Sequence, residues 1–182
     1  MQSFENYDDY LRSLAMRGEF GAFDAAHLER ITQLINKTNQ FNMTTRRYTA
    51  AEIEALCADP ACLTLYGRLA DKFGDNGIVT ALIGRQDGDA LEIELWIMSC
   101  RVFKRNLEHT LFDQLVAACK ARGVKTILGR FLPTAKNLPA KDFYPSIGFA
   151  RIRESEAEAL YRFDIPEQYE PLNHVMEVAA LP

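Results

Sequence analysis

A cysteine and three cationic residues stand close together near the middle of the chain. Cys100 follows the apolar stretch Leu91–Met98, and Arg101, Lys104 and Arg105 come directly after it. A cysteine sulfur attacks activated acyl groups in its negatively charged form, and neighbouring cations stabilise that charge. These residue types in this order would draw the Cys100 thiol toward its thiolate form, which makes Cys100 a candidate nucleophile. Core packing is the competing interpretation, because free cysteine is among the most buried residue types.

The residues before Cys100 predict a strand. Apolar residues alternate with others in the two-residue period of a strand whose faces are solvated differently: Leu91, Ile93, Leu95 and Ile97. The same parity places Cys100 on the other face of the strand, together with Glu94, Trp96 and Met98.

The residues after Cys100 predict a basic loop that leads into a helix. Leu107, Leu111 and Leu115 recur every four residues, as on the buried face of an amphipathic helix. Asn106 stands before the first of them and is the predicted N-cap, since its short side chain can accept from the first amides of a helix. Backbone amides, the helix dipole and the loop cations would together attract a phosphate or pyrophosphate group.

Composition narrows the class of protein. The chain has 182 residues, 48% of them hydrophobic and 25% charged, which suits one domain with a real core. We expect a main domain over residues 41–182 and an N-terminal helical extension over residues 1–40. A net charge of -4 and a pI near 5.4 argue against nucleic acid as the main partner.

Neither a membrane span nor a metal site is expected. The longest apolar runs fall short of the roughly 20 residues that cross a bilayer, and no signal peptide follows Met1, so we expect a cytoplasmic protein. The four cysteines form no C-x-x-C pair and only three histidines are present, which disfavours zinc. Strands alternate with helices after residue 60, which predicts a mixed α/β sandwich.

A polar run, Asn36–Tyr48, allows two interpretations. It is either a helix end followed by a strand, or a polar site lined by amides, hydroxyls and arginines. The residues that would line the site are Asn36, Asn39, Asn42, Thr44 and Arg46.

The motif Asn137-x-x-Ala140-x-x-Phe143-Tyr144-x-x-x-Gly148 resembles the second acyl-coenzyme-binding motif of the GNAT acyltransferase superfamily. The resemblance implies a mixed, mostly antiparallel sheet flanked by helices. It also implies that Asn137 binds pantetheine amides and that Tyr144 reprotonates a departing thiolate. A helix cap and an aromatic core residue are the respective alternatives.

The same resemblance places coenzyme binding at the loop after Cys100, with Arg101, Lys104, Arg105 and Asn106 as its contacts. The superfamily usually carries two glycines in that loop, and this sequence has neither. Glycines let backbone amides approach a pyrophosphate closely, so their loss puts coenzyme binding there in doubt.

A narrower resemblance covers nearly the whole chain. Glu29–Thr49, Phe73–Val79, Trp96–Val102, Pro133–Asn137 and Asp142–Tyr144 are similar to the C-terminal domain of the FkbH-like proteins. That resemblance implies transfer of a glyceryl group from a phosphorylated three-carbon donor to an acyl carrier protein, for methoxymalonyl units of polyketides. In that family a phosphatase-like domain of the haloacid dehalogenase type usually precedes this one. Asp87-Gly88-Asp89 has the D-x-D spacing of that domain's nucleophile motif, but it lies in a predicted turn and lacks the preceding apolar strand of the motif.

The resemblance favours Cys100 as nucleophile and makes the polar run a contact for the glyceryl group or the carrier. It implies no tightly bound cofactor; the thiol ligand is the phosphopantetheine arm of the carrier, or coenzyme A as its analogue. Five cations could form a landing patch for an acidic carrier: Lys37, Arg46, Arg47, Lys104 and Arg105. Two other functions stay open. One is N-acylation from coenzyme A with Glu92 or Glu94 as base, and the other is a non-catalytic carrier-binding module.

Overall fold

A computed structural model describes residues 5–179. The helices are α1 (Tyr7–Ser13), α2 (Leu28–Lys37), α3 (Ala50–Ala58), α4 (Leu107–Ala121) and α5 (Phe143–Ser146). The strands are β1 (Arg17–Gly21), β2 (Phe41–Asn42), β3 (Cys62–Asp71), β4 (Gly74–Asp87), β5 (Ala90–Met98), β6 (Thr126–Phe131), β7 (Ala150–Glu154), β8 (Ala159–Asp164) and β9 (Glu177–Ala179). Single 3-10 turns lie at Cys100–Val102 and Leu138–Ala140.

These strands form one sheet in the order β7-β8-β6-β5-β4-β3-β1-β9, and β2 pairs with β5 beside that path. Neighbours are antiparallel except β5 with β6 and β1 with β9. Helices α2 and α3 cover one face of the sheet through Ile31, Ile35 and Ile53. Helices α1, α4 and α5 cover the other face, where Leu11 and Phe112 are buried. The predicted fold class is confirmed.

A β-bulge at Glu94 changes the faces of β5. Ile83 lies opposite Leu95 and Gly84 lies opposite Ile93, so Glu94 has no partner in β4. An extra residue in one strand reverses the parity of every residue beyond it. Trp96 accordingly packs on the α4 side together with Ile93, and Leu95 packs on the α2 side. The parity predicted from sequence is therefore wrong beyond Ile93.

The strands β5 and β6 pair only as far as Ile93 and Gly129. Beyond that point the segment Phe41–Thr44, which we call the wedge segment, lies between them. Its residue Met43 donates a backbone hydrogen bond to Trp96 O at 3.2 Å and accepts one from Leu132 N at 2.8 Å. The wedge segment thus pairs with the chain on both sides of the gap, which satisfies backbone groups that would otherwise be unpaired in the core.

Residues 1–40 are not all helical, contrary to expectation. Arg17–Gly21 forms β1, which lies between β3 and β9 in the sheet. Buried and more exposed residues alternate along β1 for only five residues. A pattern this short does not distinguish a strand from the neighbouring helices. Residues 1–4 of the predicted extension lie outside the described part of the chain. The sequence after Pro166 shows no pattern that predicts a helix or a strand. In the structure, Glu177–Ala179 forms β9.

Two local predictions at helix ends have different outcomes. The Thr-x-x-Glu spacing of Thr49 and Glu52 predicts a capping box, and these residues form one at the start of α3. Asn106 precedes α4, but it has a left-handed backbone with φ of 59° and its side chain caps no amide, so that prediction is wrong. The predicted inner face of α4 is buried throughout: Leu107, Leu111, Phe112, Leu115, Val116 and Cys119.

A pH-dependent ion pair joins α1 to the C-terminal region. His174 Nε2 lies 2.7 Å from Asp8 Oδ2, and this hydrogen bond raises the pKa of His174 above its ordinary value of 6.5. Since the raised pKa belongs to the folded state, the pair stabilises the fold fully below pH 6.5 and loses its effect as pH rises through the folded-state pKa.

We expect His174→Gln to lower the free energy of unfolding by no more than about 0.5 kcal/mol at about pH 5.5, because the pair is half exposed. At about pH 9 the variant and the original protein should unfold at the same urea concentration, since the imidazole is then neutral in both states. A stability difference that is equal at the two pH values would contradict this assignment.

Candidate functional site

The Cys100 side chain is exposed at the end of β5, where a cavity of about 430 Å³ opens toward α2. Three structural parts form its walls: Arg30, Leu34 and Lys37 of α2, the loop Thr38–Gln40, and the turn Met98–Arg101. We call this space the Cys100 cavity. The core-packing interpretation holds for Cys62 and Cys119, which are buried, but not for Cys100. Burial raises the pKa of Cys119 to about 12, so that thiol stays protonated.

The backbone around Cys100 is held by neighbouring elements. Ser99 N donates to Val79 O of β4 at 2.8 Å, which fixes the end of the strand. Ser99 Oγ accepts from the backbone amide of Arg101 at 3.4 Å, and Cys100 begins a 3-10 turn between them. The turn directs the chain away from the sheet. The sulfur atom therefore stands on a rigid strand end rather than on a long loop.

The Cys100 cavity is positively charged. Arg30, Lys37 and Arg101 line it, and no Asp or Glu does. Within residues 5–179 none of the three cations forms an ion pair with a carboxylate. Cationic neighbours that keep no counter-ion attract anions and stabilise negative charge that develops on a nearby sulfur.

The rest of the basic loop does not fit a coenzyme pyrophosphate. The hydroxyl of Tyr7 donates to the carbonyl of Lys104, which links α1 to the loop. Arg105 forms an ion pair with Asp71, whose side chain is only 3% exposed. Lys104 has a left-handed backbone, with φ of 64°. Among the four predicted coenzyme contacts of this loop, Arg101 alone reaches the Cys100 cavity.

Asn137 is buried and its amide is fully used by the fold. Its Nδ2 donates to Asn42 O and to Leu132 O, both at 2.9 Å, and its Oδ1 accepts from Thr134 N at 2.7 Å. These bonds join the wedge segment to the chain that follows β6. No amide hydrogen of Asn137 is left for a pantetheine arm, so its predicted role as a coenzyme contact is not supported by its position.

Tyr144 lies in the core and contradicts the predicted role as a proton donor. Its side chain has no exposed surface and its ring lies between Trp96 and Tyr161, with centroids 6.3 and 5.5 Å away. A Cβ on Gly129 would come within 2.5 Å of the Tyr144 ring, which shows how closely the ring packs on β6. The hydroxyl has no hydrogen-bond partner, and burial raises the pKa of Tyr144 well above its ordinary range.

Some side chains of the polar run line the Cys100 cavity, and others hydrogen-bond to the backbone of the fold. Asn36 binds both backbone groups of Tyr48, at 2.8 and 3.2 Å. Asn42 accepts from Thr45 N at 2.8 Å, and Thr44 donates to Glu94 O at 2.8 Å. All three side chains thus hydrogen-bond to the backbone.

Asn39 is the one member of the predicted set that lines the Cys100 cavity. Arg46 lines a different cavity of about 350 Å³ on the same side of the sheet, where it lies 3.5 Å from Glu94. The structure therefore separates Arg46 from the cysteine.

Arg30 is not among the site residues predicted from the sequence, and Lys37 is predicted only as part of the landing patch. Arg30, Leu34 and Lys37 stand at positions i, i+4 and i+7 of α2, which places them on one stripe of the helix. That spacing is visible in the sequence. The information that this stripe faces Cys100, far along the chain, comes only from the fold.

The comparisons with known proteins show the fold. Comparison of the sequence with protein-family models finds no match, and comparison with curated proteins finds none. The structure is similar to the ribosomal-protein-S18-alanine N-acetyltransferase of Escherichia coli, with a TM-score of 0.61 and 13% identity over 86% of this chain and 99% of that one. It is also similar to Ard1 of Thermoplasma volcanium, with a TM-score of 0.63 and 16% identity over 82% of this chain and 99% of that one.

A third similar structure is the aminoglycoside acetyltransferase AAC(6')-Ib in complex with coenzyme A, with a TM-score of 0.57 and 14% identity over 81% and 94% of the two chains. The chain has the fold of the GNAT acetyltransferases. In residues 5–179 no helix is long and apolar enough to cross a bilayer. The same residues contain no cluster of His, Cys, Asp or Glu that could hold a metal ion.

Tyr144→Phe should leave the free energy of unfolding unchanged or raise it by about 1 kcal/mol, because the variant removes a buried hydroxyl that has no partner. The matched control is Tyr169→Phe, which loses a 2.6 Å hydrogen bond to Asp113 and should lower stability by about 1–2 kcal/mol. Urea unfolding measures both changes. A loss of Cys100 acylation in a folded Tyr144→Phe variant would restore the proton-donor role.

Asn137→Ala should lower the free energy of unfolding by about 2–4 kcal/mol, since three backbone groups lose their partner. Gln40→Ala, an exposed position next to the wedge segment, should change it by less than about 0.5 kcal/mol. A chemical denaturation curve for Asn137→Ala that overlies that of the original protein would show that the amide does not hold the wedge segment.

Proposed function

We propose that this protein receives an acyl group on Cys100 as a thioester and passes it to a second thiol. The observation that carries the proposal is an exposed thiol at a rigid strand end. Among residues 5–179, the cavity around it is lined by three cations that form no ion pair and by no carboxylate. The resemblance to the FkbH-like proteins supplies the finer terms. They are a glyceryl group from a phosphorylated three-carbon donor and the phosphopantetheine thiol of an acyl carrier protein as acceptor.

The chemistry needs one sulfur atom and a stabilised negative charge. Cys100 Sγ loses its proton to water and attacks the carbonyl carbon of the activated donor. A carbon–sulfur bond forms, and the donor's leaving group departs with its electron pair. The acceptor thiolate then attacks the same carbon and Cys100 leaves as a thiolate. The second transfer is nearly isoenergetic, because it converts the thioester on Cys100 into the thioester on the acceptor. The cations that line the cavity stabilise the anionic sulfur in each step.

Not all five cations of the predicted landing patch are available to an acidic carrier. Arg47 donates to Ile35 O and Thr38 O, at 2.7 and 3.0 Å, and is therefore held by the scaffold. Arg105 is held by Asp71 as described above. The cations beside Cys100 remain, and complementary charge would speed the encounter with an acidic surface. A phosphatase-like partner, in a longer chain or a separate one, would complete the reaction sequence.

N-acylation from coenzyme A is the second candidate, and the similarity to N-acetyltransferases favours it. Its predicted bases are held by arginines. Glu92 lies 2.8 Å from Arg130, and Glu94 lies 2.9 Å from Arg85. Each carboxylate is thus already engaged by a guanidinium. Because the loop after Cys100 lacks both glycines of the superfamily motif, we expect no saturable binding of acetyl coenzyme A. A carrier-binding module without catalysis is the third possibility, and it would retain carrier affinity without any covalent step.

Cys100 should acquire the mass of the acyl group when the protein is incubated with an acyl thioester of a carrier or of pantetheine. Intact-protein mass spectrometry measures the adduct. Cys100→Ala should abolish it, whereas the matched control Cys57→Ala should retain it, because Cys57 is an exposed cysteine outside the cavity. An adduct that persists in Cys100→Ala would remove the mechanism. Acetylation of an amine by that same variant would establish N-acylation instead.

A further inference from the structure

From the charge and geometry of the Cys100 cavity we infer that Arg30 and Lys37 bind an anionic group of the acyl donor and so determine which donors acylate Cys100. The inference deepens the proposed function and rests on it for the identity of the ligand. Arg30 lies outside both the basic loop and the polar run Asn36–Tyr48. Lys37 lies within that run, but it is not among the five residues predicted to contact the glyceryl group or the carrier. Neither side chain is required to hold α2, since both are exposed.

The helix α2 presents these cations to the cavity by its own geometry. Lys37 lies seven positions after Arg30, which is about 10 Å along a helix axis, and Leu34 lies between them on the same stripe. The buried residues Ile31 and Ile35 hold the helix to the sheet and fix the direction of that stripe. Long cationic side chains at the two ends of a stripe can converge on one small anion.

The charge of the Cys100 cavity is unlike that of the other charged cavities. The cavity beside Arg85 is lined by three arginines and by three acidic residues, Glu52, Asp59 and Glu94. The cavity around Lys125 likewise contains three cations and three acids: Lys120, Lys125 and Arg162 with Asp89, Asp164 and Glu167. The Cys100 cavity has three cations and no acid, although the protein carries a net charge of -4.

The three cations that line the Cys100 cavity repel one another, because no acidic side chain of the cavity lies among them. An anion bound in the cavity would reduce this repulsion. The same cavity offers Thr38, Asn39 and Gln40, whose hydroxyl and amide groups can bind hydroxyls of a small polar acyl chain. The structure therefore fits a short polar acyl group with a phosphate or carboxylate beyond the carbonyl carbon. An acyl chain that is neutral and apolar offers these groups neither charge nor hydrogen bonds. Within the fold, the Thr38 hydroxyl donates to Leu34 O and Asn39 Oδ1 accepts from Arg47.

The first experiment does not depend on acyl transfer. Iodoacetate and iodoacetamide have nearly the same size and differ in charge, and both alkylate cysteine sulfur. We expect the ratio of the iodoacetate rate to the iodoacetamide rate to be at least about fivefold higher at Cys100 than at Cys57, since Glu54 and Asp24 lie close to Cys57. Peptide mass mapping measures the extent of alkylation at both cysteines in the same sample.

The double variant Arg30→Gln/Lys37→Gln should lower that ratio at Cys100 by about fivefold and leave it unchanged at Cys57. The double variant Arg151→Gln/Lys125→Gln removes the same charge from exposed positions outside the cavity and should change neither ratio. Inorganic phosphate and succinate are then added separately as competitors, and the one that slows alkylation at Cys100 identifies the preferred anion. An equal ratio in the original protein and in Arg30→Gln/Lys37→Gln overturns the inference.

The second experiment compares pantetheine thioesters of succinate and of its methyl ester, which have similar length. The charged donor should acylate Cys100 faster in the original protein, and Arg30→Gln/Lys37→Gln should slow that donor about tenfold and the neutral donor less than about twofold. Equal slowing of both donors would overturn charge selection. If the alkylation ratio behaves as expected and no thioester acylates Cys100, the proposed function fails while the anion site at Arg30 and Lys37 stands.

Discussion

Pairing of backbone groups where β5 and β6 separate is the constraint on which the rest of the structure depends. The bulge at Glu94 coincides with the last pair between the two strands. Beyond it, the wedge segment supplies hydrogen bonds to both sides, and Asn137 joins the wedge segment to the chain after β6. Buried amides and carbonyls that lack partners each cost about 1–3 kcal/mol, so this arrangement is required for a closed core.

The same constraint decides which polar residues are free for chemistry. Asn42 and Thr44 belong to the wedge segment, and their side chains bind the backbone. Tyr7 of α1 donates to the loop carbonyl of Lys104, and Asp71 holds Arg105. The cavity that contains the exposed thiol of Cys100 is lined by α2. A fold shared with N-acetyltransferases does not by itself place the reactive groups in the same positions.

The charge distribution is consistent with that arrangement. Several surface cations are paired, as Arg85 is with Asp59 and Glu94. The hydrogen bond with Glu94 raises the pKa of Arg85 further, so the Arg85 guanidinium stays protonated. The cations beside Cys100 lack such partners among the described residues, and Cys100 is the exposed thiol that they surround. Positive potential and an accessible sulfur at one position are the requirements for accepting an anionic acyl group.

Local features of the fold could be predicted from the sequence because they depend on nearby residues. The strand before Cys100, the buried face of α4 and the Thr49–Glu52 capping box all arise from short-range periodicity or from one turn of helix. The resemblance to known motifs added the fold class. The short strands β1 and β9 escaped prediction because their stability comes from each other and from β3.

The site was decided by the tertiary structure. Side-chain parity in β5 reverses at Glu94 because β4 leaves that residue unpaired, and no pattern within β5 records this. An asparagine amide serves a ligand or a backbone equally well, so residue type could not assign Asn137. The sequence by itself determined that a cysteine ends a strand before a basic turn. Only the fold brought Arg30 and Lys37 to that cysteine, because contacts between distant segments depend on how whole elements pack.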